Sequence, residues 1–388
     1  MLQRLHVGLI GSGFMGRSHA LAWRMAPAVF GLPLEPRLEM LADIDAPTAA
    51  RAAQSLGFAR STGDWRALVA DPEVDLVDIT APNVWHAPMA LAAIAAGKPV
   101  YCEKPLAPSA RQAGELADAA ERAGVPTMVG FNYLKNPMVQ LAKEIVASGE
   151  IGEVWSFRGI HAEDYMTDPA NPWTWRLDPA GGGGAVADLC SHIVSIARFI
   201  CGPIASLCAD LDTVVTRRPA RLGGPPETTV EVDDQVRALV RFASGPKGVL
   251  EASWVATGRK MYLAFEIYGS KGSILVDHER LNELQLYIRE EVTGERRGHG
   301  AYESKNGYRR ILAGPAHPDY AGFNPASGHQ LGFNEIKTIE VRHLVDALLA
   351  GKGAFPDFRE AAEIAKVIEA MQVSARQRGW VEVASVGG

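Results

Sequence analysis

From Leu5 to about Asn132, short β-type apolar runs alternate with alanine-rich stretches of helical period, the pattern of βαβ units that build a parallel sheet. The runs Leu5–Ile10, Leu38–Asp43, Asp75–Thr80, Pro99–Cys102 and Thr127–Phe131 predict its strands. Helices lie between them, including Val84–Ala96 and Ser109–Ala123. Ser109 stands where an N-cap belongs, and Gly97 and Gly124 fall just past the two helices, where a chain turning out of a helix takes positive φ. Ala26–Pro36 reads as an insertion ahead of the second strand.

After a helix predicted over Pro137–Ser148 the period changes. Gln235–Phe242 puts Val236, Ala238, Val240 and Phe242 on one face and Arg237 and Arg241 on the other, the alternation of a half-buried strand. Similar runs follow at Gly248–Ser253, Tyr262–Tyr268, Ser273–Asp277 and Glu283–Ile288, with a tight turn at Gly269–Gly272. Strands so closely spaced predict a large, mainly antiparallel open sheet, with one apolar face through which copies of the chain would associate. Thr216–Pro226 and His299–Pro325 read as loops within this half, and helices at about Asn334–Ala350 and Arg359–Arg376 close the chain. The fold class is therefore α/β, with a parallel-sheet domain over 1–132 and an α+β domain over 133–388.

A length of 388 residues, 47% of them hydrophobic, accommodates such a division and a sizeable core. The net charge of −6 comes from well-mixed acids and bases, so no basic stripe points to nucleic acid or to an anionic membrane surface. Cys102, Cys190, Cys201 and Cys208 lie in or beside apolar runs without C-x-x-C spacing and read as reduced, buried thiols. The first residues run straight into a strand rather than into a signal peptide, and no run of about 18 apolar residues suggests a membrane span. A cytoplasmic protein is expected.

Gly11-Ser-Gly13-Phe14-Met15-Gly16 matches G-x-G-x-x-G in the context that gives this weak pattern meaning: it follows a strand and opens a helix. Its backbone can approach a pyrophosphate at a positive helix end. Asp43, at the end of the second strand, is placed to accept hydrogen bonds from a ribose diol, and Asp45 adds negative charge, so NAD is favoured over NADP. An acidic strand end also serves as an ordinary turn residue or N-cap. Asp43 lies 27 residues beyond Gly16, against the usual spacing of about 20, and the insertion accounts for the excess.

Glu103-Lys104-Pro105 follows the fourth of these strands, which sets a lysine at the sheet edge where open α/β sheets bind ligands. Farther on, Gly181–Gly184 precedes a helix predicted over Ala185–Ile200, on which Asp188 and His192 are four residues apart and share a face. An acid beside a histidine can orient the imidazole for proton transfer, although the same spacing also makes surface ion pairs. No Cys/His cluster has the spacing of a catalytic zinc site, and no metal is expected. Tyr302 and Lys305 have the wrong interval for the Tyr-x-x-x-Lys pair of short-chain dehydrogenases.

The glycine loop, Thr80-Ala-Pro82-Asn83 with His86, Glu103-Lys104-Pro105, Gly130-Phe-Asn132 and the glycine-rich approach to Asp188 and His192 together carry a resemblance to the Gfo/Idh/MocA oxidoreductases over essentially the whole chain. The resemblance implies a Rossmann domain followed by an α/β domain with a large open sheet, commonly used to form homodimers or homotetramers. It implies a catalytic trio of Lys104, Asp188 and His192. His192 would take a hydroxyl proton, Asp188 would orient His192, and Lys104 would hydrogen-bond the reacting oxygen. Thr80, Pro82, Asn83, His86, Glu103, Lys104 and Asn132 would line the cofactor beside Gly11, Gly13, Phe14, Met15, Gly16 and Asp43.

Ser156–Gly159, Asp168 with Trp175-Arg176, Val232–Asp234, Gly314–Pro318 and Glu335-Ile-Lys337 resemble the levoglucosan dehydrogenase branch of that family. Glu163 and Tyr165 stand where that branch has glutamine and tryptophan, and Leu134-Lys135 replaces its common arginine pair. Aromatic faces stack on sugar C–H surfaces, so Tyr165, Trp173, Trp175, Arg176 and His317 are the substrate-site candidates, while His161 reads as a packing residue. The expected reaction is NAD-dependent oxidation of a secondary hydroxyl of a sugar, anhydrosugar, glycoside or inositol. The alternatives are a glycosidase that retains NAD and oxidises its sugar transiently, and a nucleotide sensor without turnover. The intact trio argues against the sensor.

Overall fold

The computed structural model describes residues 3–289 and 306–387. Tyr302, Lys305 and the first part of the His299–Pro325 segment lie outside the described residues. The first half builds β1 (Gln3–Ile10), β2 (Leu34–Ala42), β3 (Arg60–Thr62), β4 (Leu76–Ile79), β5 (Val100–Cys102) and β6 (Thr127–Val129) into one six-stranded sheet of order β3-β2-β1-β4-β5-β6. All its pairings are parallel. Its helices are α1 (Phe14–Phe30), α2 (Ala46–Leu56), α3 (Trp65–Ala70), α4 (His86–Ala95) and α5 (Ala110–Ala123). Side chains punctuate them as the sequence predicts: Ser109 caps α5 through the Gln112 amide and Gly124 leaves it in the left-handed region.

Ala26–Pro36 is shared between two elements: residues 26–30 are the last turn of α1, which tolerates Pro27 and ends at Gly31, and Leu34–Pro36 open β2.

After α6 (Pro137–Ser148) come β7 (Val154–Ala162), α7 (Ser191–Cys201), β8 (Ile204–Asp212), β9 (Arg217–Arg218), β10 (Thr228–Thr229), β11 (Gln235–Phe242), β12 (Lys247–Ser253), β13 (Tyr262–Gly269), β14 (Gly272–Asp277), β15 (Glu283–Ile288) and β16 (Arg309–Leu312). Helices α8 (Phe333–Leu349) and α9 (Phe358–Gln377) and strand β17 (Val381–Glu382) finish the chain. Nine strands form the second sheet, in the order β16-β15-β14-β13-β7-β12-β11-β8-β17. It is antiparallel except where β7 runs parallel to β12. Thr216–Pro226 includes part of the small β9–β10 ladder, so it is not wholly loop.

The face of this sheet that holds Val236, Ala238, Val240, Phe157 and Phe265 is buried against the chain's own helices. The opposite face is not apolar as expected: Arg158, Arg237, Arg241, Glu251 and Glu266 are interleaved with Ile160, Val249 and the half-exposed Leu239. Cys102 and Cys190 are buried, whereas Cys201 and Cys208 are only partly so, and all four are free thiols. Among the described residues one helical stretch, Pro179–Cys201, is long and apolar enough to cross a bilayer by length and composition, which corrects the expectation that none would be; 78% of its most apolar window is packed inside the protein.

Parts of the distal chain also return to the first sheet. Helix α8 packs Val341, Leu344 and Val345 against Trp23 of α1 and Leu5, Val7 and Tyr101 of the parallel strands. The free edge of β6 is covered by residues 354–358: the Val129 N–H donates to Pro356 O at 2.8 Å, and the Ala354 N–H to Thr127 O at 3.1 Å.

Candidate active site

The parallel sheet reverses its winding between β1 and β4, and the crevice beyond the carboxyl ends of its strands is where such sheets take ligands. Gly11–Gly16 follow β1, Asp43 follows β2, Thr80–His86 follow β4, Glu103-Lys104 follow β5 and Gly130–Asn132 follow β6. The sequence candidates of the first half therefore line one edge.

The glycine loop is held from both sides. Gly11 takes φ +97°, and a Cβ there would stand 2.9 Å from Thr80 O; a Cβ on Gly16 would come within 2.1 Å of Gly11 O. Thr80 Oγ1 donates to Gly11 O at 2.8 Å, and Asp43 Oδ2 accepts from the Ser12 N–H at 2.9 Å and from its hydroxyl. Above Gly13 the space is open, and α1 begins at Phe14 with no side-chain cap on its first amides. Phe14 is exposed and stacks on Phe333 at 5.7 Å. Across the crevice, Asn132 is buried with its Nδ2 donor lacking a partner among the described residues. A positive helix end, an open glycine and an orphaned amide donor on one edge fit a dinucleotide.

Two candidates face elsewhere. His86 is buried with Nδ1 2.7 Å from Pro105 O and Nε2 2.7 Å from Ala81 O, so it ties two loops together from behind. Glu103 is also buried, and its carboxylate meets His19, Lys337 and the Lys104 N–H. His86 opens α4, and Glu103 directly follows β5.

Lys104 leaves β5 toward the second half, where its Nζ contacts Asp188 Oδ1 at 2.6 Å and Asp188 O at 2.9 Å. Asp188 lies in a single π-helical turn, Val186–Cys190, anchored by the Asp233 carboxylate on the Val186 N–H at 2.7 Å. The other oxygen of Asp188 accepts from Tyr165 OH at 2.8 Å and has Arg176 Nε at 3.4 Å. Burial opposes ionisation of Asp188, but Lys104 and Arg176 outweigh it and hold the carboxyl well below the usual range. Burial, reinforced by Asp188, raises the Tyr165 phenol, so it stays a donor.

Asp188 makes no hydrogen bond to His192 among the described residues, so the expected orienting pair is absent. The wider π turn breaks the i,i+4 register of a regular helix, and the carboxylate is taken up by Lys104, Tyr165 and Arg176. His192, on the first turn of α7, is buried with Nδ1 unpartnered and is walled by Tyr133 at 4.7 Å, His161 at 5.4 Å and Phe131 at 6.0 Å between ring centroids. Burial first, then Lys104 and His161, drive its proton affinity well below that of an ordinary histidine. A neutral imidazole and an ammonium beside one crevice can take a proton from, and hydrogen-bond to, the same hydroxyl oxygen.

Among the substrate candidates, Tyr165 and Arg176 join this cluster, and Trp175 is brought alongside by the Arg176 guanidinium, 4.4 Å above its ring. Trp173 instead packs on the core, and His317 closes its own turn by accepting from the Gly314 N–H at 3.0 Å. His161 is more than packing: Nδ1 is 3.0 Å from Leu189 O and Nε2 3.0 Å from Glu163 Oε1. Its placement was available from alternation along Val154–Ala162, which sets Phe157, Gly159 and His161 on the inward face. A groove of about 530 Å³ lined by Glu369, Val373 and Trp380 shares no residue with this site.

Comparison with known proteins agrees with the geometry. The model of an oxidoreductase family with an NAD-binding Rossmann fold matches residues 5–131, and that of the GFO/IDH/MocA C-terminal domain matches residues 139–275. Levoglucosan dehydrogenase of Pseudarthrobacter phenanthrenivorans is 37% identical over 398 residues, spanning 99% of this chain and 100% of its own. The solved structure of levoglucosan dehydrogenase in complex with NADH and levoglucosan superposes with a TM-score of 0.92, covering 98% of this chain and 100% of that one. An NAD binding oxidoreductase from Klebsiella pneumoniae is 45% identical, with a TM-score of 0.91 over 98% of this chain and 99% of that chain.

Proposed function

This chain belongs to the Gfo/Idh/MocA oxidoreductase family, and on that premise we propose that it is an NAD-dependent dehydrogenase for a secondary hydroxyl of a sugar, anhydrosugar, glycoside or inositol. The observation that carries the reading is the meeting of Lys104 and Asp188 across the two halves, beside a His192 kept neutral by burial. Gly11, Gly13, Phe14, Met15, Gly16, Asp43, Thr80, Pro82, Asn83 and Asn132 would hold the dinucleotide, with Asp43 on the ribose diol. Bound there, the nicotinamide supplies the two-electron acceptor. His192 takes the hydroxyl proton, and Lys104 hydrogen-bonds the same oxygen and stabilises negative charge on it. Asp188 holds the Lys104 ammonium in place rather than orienting His192. Tyr165, Trp175 and Arg176 face the sugar.

The chain is further proposed to act in the cytoplasm as a homodimer or homotetramer associated through the outer face of its nine-stranded sheet, where Leu239 is more than half exposed. The deciding assay incubates the purified protein with NAD and a panel of sugars, anhydrosugars, glycosides and inositols while NADH absorbance is followed. Net NADH formation is expected. Glycoside cleavage without it would replace the proposal with a retained-cofactor glycosidase, and silence with intact NAD binding would replace it with a sensor.

A further inference from the structure

Beneath the candidate site lies a group of buried charges that the proposed chemistry does not use. Lys337, on α8 and fully buried, places its Nζ 2.8 Å from Glu103 Oε1, 2.6 Å from Glu340 Oε2 and 3.3 Å from Tyr101 OH. His19, on α1 and also fully buried, spans Asp78 Oδ1 at 2.8 Å and Glu103 Oε1 at 2.9 Å, while Trp23 Nε1 donates to Asp78 Oδ2 at 2.8 Å. Tyr101 OH donates to Glu340. Glu103 is the hub: Oε1 receives Lys337 and His19, and Oε2 accepts the Lys104 N–H at 3.1 Å.

Burying this many charges costs more than a well-packed apolar cluster would, so stability alone is a weak reason for it. The chemistry of the hub is more specific. Lys337 and His19 keep Glu103 ionised against the burial that opposes it, and an ionised carboxylate grips the backbone amide of Lys104 more firmly than a neutral group would. Glu335 and Ile336 set the lysine there: Glu335 Oε2 accepts the Gly332 N–H at 2.9 Å to fix the start of α8, and Ile336 packs in the core. The Glu335-Ile-Lys337 segment noted in the sequence is thus one device with three parts.

We propose that Lys337 is a positioning residue for the reaction: acting through Glu103, it fixes the backbone from which Lys104 reaches the substrate oxygen. The inference rests on the dehydrogenase reading for its kinetic consequence but not for its electrostatic one. Tyr133, His161 and Phe131 pack on the His192 ring, and the charges of Lys104, Glu103 and Lys337 act on it, that of Lys337 disfavouring the imidazolium.

The test uses the full-length chain as Lys337→Met/Glu340→Gln, which removes one positive and one negative charge and leaves the net charge of the cluster unchanged. NAD affinity within about threefold of the parent and an unchanged circular-dichroism spectrum establish the fold. The expected kinetic result is a fall in kcat of roughly 10- to 100-fold with KM for the polyol little changed. The His192 ring, followed by NMR, should titrate at higher pH than in the parent. A strut without influence on the site would leave that titration where it was, and an unmoved midpoint or an unchanged kcat overturns the proposal. Glu103→Gln, nearly isosteric and neutral, serves if the double variant fails to fold; it should lose kcat to a similar degree, and full activity overturns the proposal equally. If the parent itself turns over no polyol, the dehydrogenase reading fails while the His192 titration still decides this one.

Discussion

Lys104 and His192 have opposite surroundings, Lys104 reaching the Asp188 carboxylate and His192 held neutral by burial. Truncation separates the two. Lys104→Ala and His192→Ala should each lower kcat by about 10²- to 10⁴-fold while leaving NAD binding largely intact, and rates close to the parent would remove those roles. The pH dependence has a definite sign. Because the folded protein lowers the proton affinity of His192 below the ordinary 6.5, the imidazole stays neutral as pH falls past that value, and the acid limb of kcat/KM should lie well below pH 6.5. An inflection at or above 6.5 would contradict it. At this scale the strand-end position of Lys104 was legible from local pattern, whereas the spacing of Asp188 and His192 fitted a surface ion pair equally well and the grouping of all three came from the family resemblance. The partners of Asp188 were not legible, since one extra residue in a helical turn leaves no mark in an i,i+4 pattern. Nor was the Glu103–Lys337 contact legible, because it joins residues 234 positions apart.

The π turn that carries Asp188 is pinned by a carboxylate with unusual energetics. Burial pushes Asp233 up to about 6 although it accepts the Val186 N–H. A carboxyl whose folded pKa exceeds its unfolded value binds its proton more tightly in the native state, so it lowers stability as pH rises from about 4 through 6. Asp233→Asn keeps an oxygen for Val186 and removes the ionisation. Its stability relative to the parent should therefore be more favourable at pH 8 than at pH 4, by about 2 kcal/mol in thermal or urea unfolding. A pH-independent difference would mean that Asp233 ionises freely. Elements with strong caps or clean alternation, α5, α6 and β11 among them, were readable from sequence almost to the residue. Strands β7 and β8 were not: β7 mixes Arg, Gly and His into a run buried on one face, and β8 ends with Asp210 and Asp212 interrupting its apolar run. Their identity comes from the neighbours that flank them, which sequence period cannot supply.

For the whole molecule, the outward face of the nine-stranded sheet is the proposed meeting surface of subunits. Leu239→Arg places a third arginine between Arg237 and Arg241, and light scattering should then find smaller assemblies than in the parent; unchanged mass would move the interface elsewhere. That sheet was legible as mainly antiparallel, but which of its faces met the chain's own helices had to come from packing. The return of α8 and residues 354–358 to the first sheet was equally hidden, because amphipathic helices do not state which sheet they cover. Their return matters during biosynthesis. β6 is complete once residue 129 has been made, yet the amide and carbonyl groups along its edge find their partners only when Pro356 leaves the ribosome. At typical synthesis rates the nascent chain carries that unpaired edge for roughly 10 to 50 seconds, long enough for chaperone capture or for pairing with another nascent chain to compete with correct closure.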